Sequence, residues 1–196
     1  MNKSLALFDF DGTITTKDSL AEFIKFAVGK KLYYLGLLRL SPVLFMFVTK
    51  LLPNDVAKQK MMAYFFKGWC FDKFQTIADN YAQTEINNII RPQALQKINW
   101  HKKQGHRVII VSASMENWLQ KWCESLEIEL IATKLKVINN KITGKFLGKN
   151  CHGEEKVNRI KILLNLSTFN VIYAYGDSSG DKAMLELADT KFYRFF

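Results

Sequence analysis

Two pairs of aspartates are the residues whose type and spacing could do chemistry. Asp9 and Asp11 lie directly after one short apolar run, and Asp177 and Asp181 lie directly after another. Strands of an open α/β sheet end toward the ligand side, so these acids should meet in one crevice. Crowded carboxylates repel one another unless a proton or a cation lies between them. We therefore expect Asp9, Asp11 and Asp177 to hold a hard divalent metal, Mg²⁺.

Both pairs also admit structural roles. Asp11 followed by Gly12 is a common turn sequence, in which the acid would be incidental. Asp181 could cap a helix or compensate the dipole of its first turn. That role is compatible with a functional one, so the sequence leaves both open for Asp181.

Two further side chains could bind an anion. Ser112 follows an apolar run near the start of a predicted helix, where a hydroxyl and backbone N–H groups suit a phosphate. Lys156 lies in the first turn of another predicted helix, where a cation opposes the helix dipole unless it has an anionic partner. The structural alternatives are a cap or turn residue for Ser112 and a solvated lysine for Lys156.

The elements that position these residues form an α/β pattern. Strand-like apolar runs recur, with helical stretches between the later ones, which predicts a parallel sheet with crossovers. Residues 134–147 alternate and turn at Asn139-Asn140, which predicts a β-hairpin. A short last strand is expected in residues 191–195. The strand-like runs are Leu5 to Phe8, Val108 to Val111, Ile128 to Ala132 and Val171 to Ala174.

The segment of residues 15–90 has helical periodicity and few turn residues. It is far longer than one crossover helix needs, so it should form a helical cap above the carboxyl ends of the strands. We therefore predict a catalytic core of residues 1–14 and 91–196 and a helical cap subdomain of residues 15–90. Helix breaks are expected near Gly29, Pro42, Pro53 and Gly68.

Residues 32–52 come near the length of a membrane span, but Arg39 and Pro42 lie inside this stretch, so a clean span is not expected. One alternative is a pair of buried or partner-facing helices broken at Pro42. The other is an amphipathic surface that rests on a bilayer with basic residues toward the head groups. These residues are Lys30, Lys31, Arg39 and Lys50.

Composition limits the remaining classes. The chain has 196 residues, 48% of them apolar, and a formal charge of +10, which favours anionic partners. We find no arginine-rich helix or basic-aromatic repeat, so no nucleic-acid partner is expected. No secretory signal is visible, and three widely spaced cysteines indicate reduced thiols. We expect a cytoplasmic protein, with a peripheral position at the inner face of the membrane as an option. The cysteines are Cys70, Cys123 and Cys151.

Taken in order, these motifs resemble the haloacid-dehalogenase-like (HAD) hydrolases. Ser112 lies in Val111-Ser-Ala-Ser114, which is similar to the phosphoserine-phosphatase-like branch, subfamily IB. The resemblance implies a Rossmann-like three-layer α/β fold, with a parallel sheet and a helical cap inserted after the first strand. The segments that carry it are Asp9-x-Asp11-Gly12-Thr13, Ser112, Lys156 and Gly176-Asp177-x-x-x-Asp181.

The resemblance also implies a mechanism. Asp9 would be the nucleophile that forms an aspartyl-phosphate, and Asp11 would be the general acid and then the general base. Ser112 and Lys156 would hold phosphoryl oxygens, and Asp181 would orient Lys156 or the water around the metal. Mg²⁺ would bind Asp9, the backbone carbonyl of Asp11, and Asp177.

The substrate is less well defined. Asp18 lies where phosphoserine phosphatases have a glutamate that contacts the substrate amine, and it could either contact substrate or start a helix. Residues 32–52 and 66–69 resemble the cap of phosphatidylglycerophosphate phosphatases. We expect an Mg-dependent phosphomonoester hydrolase that acts on a small phosphorylated metabolite or a lipid head-group phosphate. The alternative is a non-catalytic binding or regulatory protein on a HAD scaffold, which would be expected to lack one of the acids.

Overall fold

The computed structural model describes residues 4–196, and its centre is a five-stranded parallel sheet in the order β3-β2-β1-β6-β7. Two more strands form a separate antiparallel hairpin. The predicted α/β class is confirmed. The strands are β1 Ser4–Phe8, β2 Arg107–Met115, β3 Glu129–Thr133, β4 Leu135–Ile138, β5 Lys141–Phe146, β6 Val171–Gly176 and β7 Thr190–Tyr193.

Five helices lie between β1 and the crossover into β2. The backbones of Thr15 and Ile90 pair in an isolated β-bridge at the base of this segment. Gly29 ends the first helix with a φ of 85°, and Pro53 precedes the fourth, so these breaks fall where the sequence predicts them. The helices are α1 Ser19–Val28, α2 Lys30–Arg39, α3 Ser41–Val48, α4 Asn54–Phe66 and α5 Phe71–Thr84. The division into a core and a cap subdomain stays a prediction.

The central strand β1 is apolar from Leu5 to Phe8 because helices cover both faces of the sheet. Leu5 and Leu7 pack in one cluster with Ile160. Phe8, on the opposite face, packs in a second cluster with Trp118. This alternation gives the three layers that the sequence predicts. The helices that cover the sheet are α6 Pro92–Lys103 and α7 Glu116–Ser125 on the second face, and α8 Glu154–Leu163 and α9 Lys182–Glu186 on the first.

Strand β2 is longer than the sequence predicts. We expected it to end before Ser112, but it continues to Met115. Ser112 pairs with Ala132, and Met115 pairs with Thr133 after a shift in register. Because β3 continues to pair with β2 beyond Val111, the polar residues of this stretch remain part of the sheet. Strand β7 covers residues 190–193 rather than 191–195.

The predicted hairpin is confirmed, and it belongs structurally with the helical segment. Asn139 and Asn140 have φ values of 48° and 57°, which suits a tight two-residue hairpin turn. The N–H of Gly68 donates to the carbonyl of Ile142 at 2.8 Å, and the N–H of Ile142 donates to the carbonyl of Trp69 at 3.0 Å. Strand β5 therefore pairs through its backbone with the loop between α4 and α5.

Helices α2 and α3 are more exposed than one predicted alternative allows. Among the residues of α2 only Tyr33 and Gly36 are buried, and no residue of α3 is buried. The buried form of that alternative is therefore wrong, whereas the partner-facing form stays a prediction. Within residues 4–196 no single helix is long and apolar enough to cross a membrane, whereas α2 and α3 together pass that test by length and composition, with a 68° bend between them.

A glycine pair tests the contact between hairpin and helix. A Cβ on Gly144 would lie 2.4 Å from the Cα of Ala63 in α4, and its φ is +79°. We expect Gly144→Ala to lower the free energy of unfolding by about 2–4 kcal/mol, since both overpacking and left-handed strain oppose it. Gly148→Ala is the matched control, because its φ is +82° and nothing lies within 4 Å. Chemical denaturation measures both, and equal losses would contradict this packing.

Candidate active site

The carboxyl ends of β1, β2 and β6 bring the candidate residues together. The N–H of Asp9 donates to the carbonyl of Tyr175 at 2.9 Å, so Asp9 continues the pairing of β1 with β6. Asp177 follows the last residue of β6 directly. Ser112 lies within β2, the other neighbour of β1. Parallel pairing therefore places these residues, distant in sequence, at one edge of the sheet.

Lys156 is the buried cation of this site, with only 1% of its surface exposed. Its Nζ donates to Asp9 Oδ1 at 2.5 Å, to Asp181 Oδ1 at 2.6 Å and to the carbonyl of Val111 at 2.7 Å. An ammonium group has three donors, so all of them are used. Burial alone would lower the pKa of Lys156, but the two carboxylates outweigh burial and hold it above its usual value. Lys156 is therefore charged.

The carboxyl group of Asp9 is almost fully buried. Burial raises its pKa to about 7, although Lys156 acts in the opposite direction, and the charge of Asp181 raises it further. An additional cation close to Asp9 would favour the ionised form.

Asp181 joins the lysine to the turn after β6. Its Oδ2 accepts from the N–H of Ser178 at 3.0 Å and from the Ser178 hydroxyl at 2.7 Å, which completes a capping box. Burial alone would raise the pKa of Asp181, but Lys156 and these donors lower it. Asp181 is thus a first-turn acid, in a capping box whose N-cap residue is Ser178, and it contacts Lys156 with its other oxygen, but it makes no side-chain cap bond at the start of α9.

Three carboxylates could hold a metal ion. One oxygen each from Asp9, Asp177 and Asp181 lie within 4.8 Å of one another. The Thr13 hydroxyl donates to Asp177 Oδ1 at 3.1 Å and fixes that side chain. Gly12 leaves room for it, since a Cβ there would lie 2.6 Å from Asp177 Oδ2. Carboxylate oxygens are the ligands that Mg²⁺ prefers, so the residues present fit this ion.

The carboxylate of Asp11 points to other partners. Its Oδ1 accepts from the N–H of Ser19 at 2.7 Å, and its Oδ2 accepts from the Ser114 hydroxyl at 2.5 Å. Ser19 is the first residue of α1, so the helical segment itself holds this acid. Burial raises the pKa of Asp11, and the nearby charge of Asp18 adds to that effect. The predicted metal contact through the Asp11 carbonyl stays a prediction.

A cavity of about 320 Å³ lies above these groups. Among the predicted site residues, Asp9, Asp11, Asp18, Lys156 and Asp181 line it. Asp18 also caps α1, since its Oδ1 accepts from the N–H of residue 21 at 2.9 Å. The cavity thus contains both predicted catalytic acids and the buried lysine.

Ser112 does not line this cavity. Its side chain is fully buried, and its Oγ accepts from the N–H of Ser114 at 3.0 Å. Ala113, between these serines, does face the cavity. The pairing of β2 with β3 shifts register between Ser112 and Met115, so the strand is irregular where it passes the cavity. The predicted phosphate contact of Ser112 stays a prediction.

Sequence reasoning missed the cavity residues that come from other elements. Asn54 and Lys58 reach the cavity from α4, and His152 reaches it from the loop before α8. Lys58 Nζ also donates to the carbonyl of Ala113 at 3.4 Å. Nothing in the local sequence distinguishes Lys58 from the other lysines of the chain. Ser114 could have been found from its spacing of two residues from Ser112 on a strand.

Comparisons with known proteins agree with this architecture. The sequence profile of the haloacid dehalogenase-like hydrolases matches residues 6–186. The protein CicA of Caulobacter vibrioides is 34% identical over 196 residues, which cover 98% of this chain and 86% of that protein. A probable phosphatase of Mycobacterium tuberculosis is 29% identical over 191 residues, which cover 94% of this chain and 66% of that protein.

Solved structures share the fold. A protein of unknown function from Bordetella pertussis superposes with a TM-score of 0.82 at 22% identity, covering 97% of this chain and 89% of that one. A phosphoserine phosphatase with a phospho-aspartyl intermediate analogue superposes with a TM-score of 0.68 at 21% identity, covering 97% of this chain and 86% of that one.

The fold and the site together define an enzyme with a parallel α/β core, whose acidic centre lies at the carboxyl ends of the strands and is contacted by the helical segment. The match over most of the chain makes the assignment specific. The chain belongs to the haloacid dehalogenase-like hydrolase family, and its fold is that of the phosphoserine-phosphatase-like branch. The predicted family is confirmed, and with it the predicted class of enzyme, a hydrolase.

The buried lysine can be tested through stability. Lys156→Met removes the cation that pairs with both Asp9 and Asp181, and we expect it to lower the free energy of unfolding by about 3–5 kcal/mol. Lys161→Met, on the exposed side of the same helix, should change it by less than about 0.5 kcal/mol. Urea denaturation of both variants measures the difference. Similar small losses for the two would show that Lys156 does not hold the site together.

Proposed function

We propose that the protein is an Mg²⁺-dependent phosphomonoester hydrolase that works through an aspartyl-phosphate on Asp9. The observation that carries this proposal is the position of Asp9. Its carboxylate lines the cavity, is bound by the charged Lys156 at 2.5 Å, and lies within metal-binding reach of Asp177 and Asp181. A carboxylate in this setting can approach an anionic ester, because nearby cations offset their repulsion.

In the first step an oxygen of Asp9 attacks the phosphorus atom. The bond between phosphorus and the ester oxygen breaks, and Asp11 donates a proton to that leaving oxygen. Burial and the charge of Asp18 raise the pKa of Asp11, so its protonated form is more available than that of an ordinary aspartate. The products of this step are the free alcohol and the aspartyl-phosphate.

In the second step Asp11 acts as the base. It removes a proton from water, and the water oxygen attacks phosphorus, so that the bond between phosphorus and Asp9 breaks. Inorganic phosphate leaves, and Asp9 and Asp11 return to their starting forms. One acid with a raised pKa therefore serves both halves of the reaction.

The cations of the site stabilise charge. Mg²⁺ bound by Asp9, Asp177 and the Asp11 carbonyl would neutralise part of the charge on the phosphoryl group. Lys156 holds Asp9 in place, and its charge beside Asp9 would stabilise phosphoryl oxygens in the transition state. Asp181 keeps Lys156 oriented through the contact at 2.6 Å.

The substrate is a small phosphorylated metabolite or a lipid head-group phosphate. The cavity is also lined by polar groups, namely the amide of Asn54, the amine of Lys58 and the imidazole of His152. These groups would contact the part of the substrate beyond its phosphate, together with Asp18. The name of the mycobacterial relative, a probable phosphatase, supports the reaction class.

Release of inorganic phosphate tests the reaction. The panel is phosphoserine, sugar phosphates, nucleotides, phosphatidylglycerophosphate and p-nitrophenyl phosphate. We expect turnover with Mg²⁺ that EDTA abolishes, and a loss of about 10³-fold or more in kcat for Asp9→Asn, which removes the nucleophile. Asp72→Asn, an exposed acid outside the cavity, is the matched control and should behave as wild type. Turnover that survives Asp9→Asn would disprove the nucleophile assignment.

Two lysines of α4 test the substrate contact. Lys58 lines the cavity, whereas Lys60 is exposed on the same helix. We expect Lys58→Met to raise KM about tenfold for anionic substrates, since a charge-assisted contact contributes roughly 1.5 kcal/mol or more. Lys60→Met should leave KM unchanged. Steady-state kinetics on the best substrate of the panel decides, and equal KM values for both variants would remove Lys58 from the substrate site.

A further inference from the structure

The segment around α2 and α3 carries charge of one sign. Residues 23–54 contain no aspartate or glutamate, although the chain has 18 of these residues. The basic side chains in the same segment lie at both ends and at the bend between the helices. They are Lys25, Lys30, Lys31, Arg39 and Lys50.

Helix α3 is apolar but has no buried residue. Its sequence after Pro42 is Val-Leu-Phe-Met-Phe-Val, yet Phe45 is 67% exposed and Val48 is 75% exposed. Isolated exposed apolar residues are ordinary on a protein surface, but a contiguous group of large ones indicates a surface that is covered by something else.

Helix α2 is fixed so that it adds to the same exposed region. Tyr33 and Gly36 face inward, and a Cβ on Gly36 would lie 2.3 Å from the ring of Phe65 in α4. This close packing sets the rotation of α2. Leu35 and Leu38, one helical turn apart, are left outside, and Leu38 is 71% exposed.

We propose that this surface binds the interface of an anionic lipid bilayer. We call it the α2–α3 surface. Its apolar side chains would enter the boundary between head groups and acyl chains, while the basic residues contact anionic head groups. A basic, apolar, acid-free surface is the combination that such a bilayer attracts. The α2–α3 surface consists of Leu32, Leu35, Leu38, Phe45, Val48 and Leu51.

Charge argues against a second copy of the chain as the partner. Pairing two α2–α3 surfaces would bring together two sets of basic residues without an acid in either segment, and like charges across an interface oppose association. A bilayer containing acidic lipids has the opposite sign. Each lysine or arginine near such a membrane strengthens binding roughly fivefold.

The α2–α3 surface also adjoins the reaction cavity. Leu51, which is 71% exposed, shortly precedes Asn54, and Asn54 lines that cavity. A protein bound to a membrane through Leu51 and α3 would therefore hold this side of the cavity near the head groups. The proposal concerns binding alone and does not depend on the reaction that the cavity performs.

Sedimentation of the full chain with vesicles tests the proposal. We expect binding to vesicles of phosphatidylglycerol and phosphatidylcholine, and much weaker binding to phosphatidylcholine alone. Phe45→Glu should weaken binding to the anionic vesicles by about tenfold or more, and the double variant Lys30→Gln/Lys31→Gln by a similar factor. Ile162→Glu is the matched control, since Ile162 is an 87% exposed apolar residue on α8, and its binding should equal that of wild type.

Three results would overturn the proposal. These are no binding to anionic vesicles, equal weakening by Phe45→Glu and Ile162→Glu, and a stable dimer in light scattering that Phe45→Glu dissociates. Hydrolysis of p-nitrophenyl phosphate, a soluble ester, is measured in parallel, and Phe45→Glu should retain it. Vesicle binding without hydrolysis by wild type would therefore support the α2–α3 surface and count against the proposed reaction.

Discussion

The structure depends on one buried ammonium group. Among residues 4–196, Lys156 is the cation that contacts both Asp9 and Asp181. It also binds the carbonyl of Val111, so it joins the ends of β1 and β2 to the turn after β6. Its charge offsets the repulsion between two of the three carboxylates that lie close together here, those of Asp9 and Asp181. The same ion pairs restrict the side chains that a reaction needs in fixed positions. The ion pairs of Lys156 therefore serve both the stability of the fold and the positioning of the side chains for the reaction.

Much of the site could be predicted from the sequence because its residues follow strands. A strand that is buried on both faces is apolar throughout, and the first polar residue after it lies at the sheet edge. Asp9 and Asp177 were found in this way. The hairpin could also be predicted, because Asn139 and Asn140 tolerate the positive φ that its turn requires.

The remaining residues could not be predicted because their positions depend on packing between distant elements. Lys58 reaches the cavity only because α4 packs on the hairpin, and no local pattern encodes that contact. The exposure of α3 was not decided by its apolar sequence, which suits a buried helix equally well. The end of β2 was placed too early because pairing with β3 continues through polar residues.

The backbone pairing of the hairpin with the loop after α4 has a consequence for how such segments can be exchanged between relatives. The two ends of the helical segment pair with each other at Thr15 and Ile90, and the loop after α4 pairs with Ile142, far along the sequence. The structural unit that contains these helices is therefore made of two separate stretches of the chain. A chimera that receives residues 15–90 alone would lose the strand that completes them, whereas one that also receives residues 134–147 would keep the unit whole.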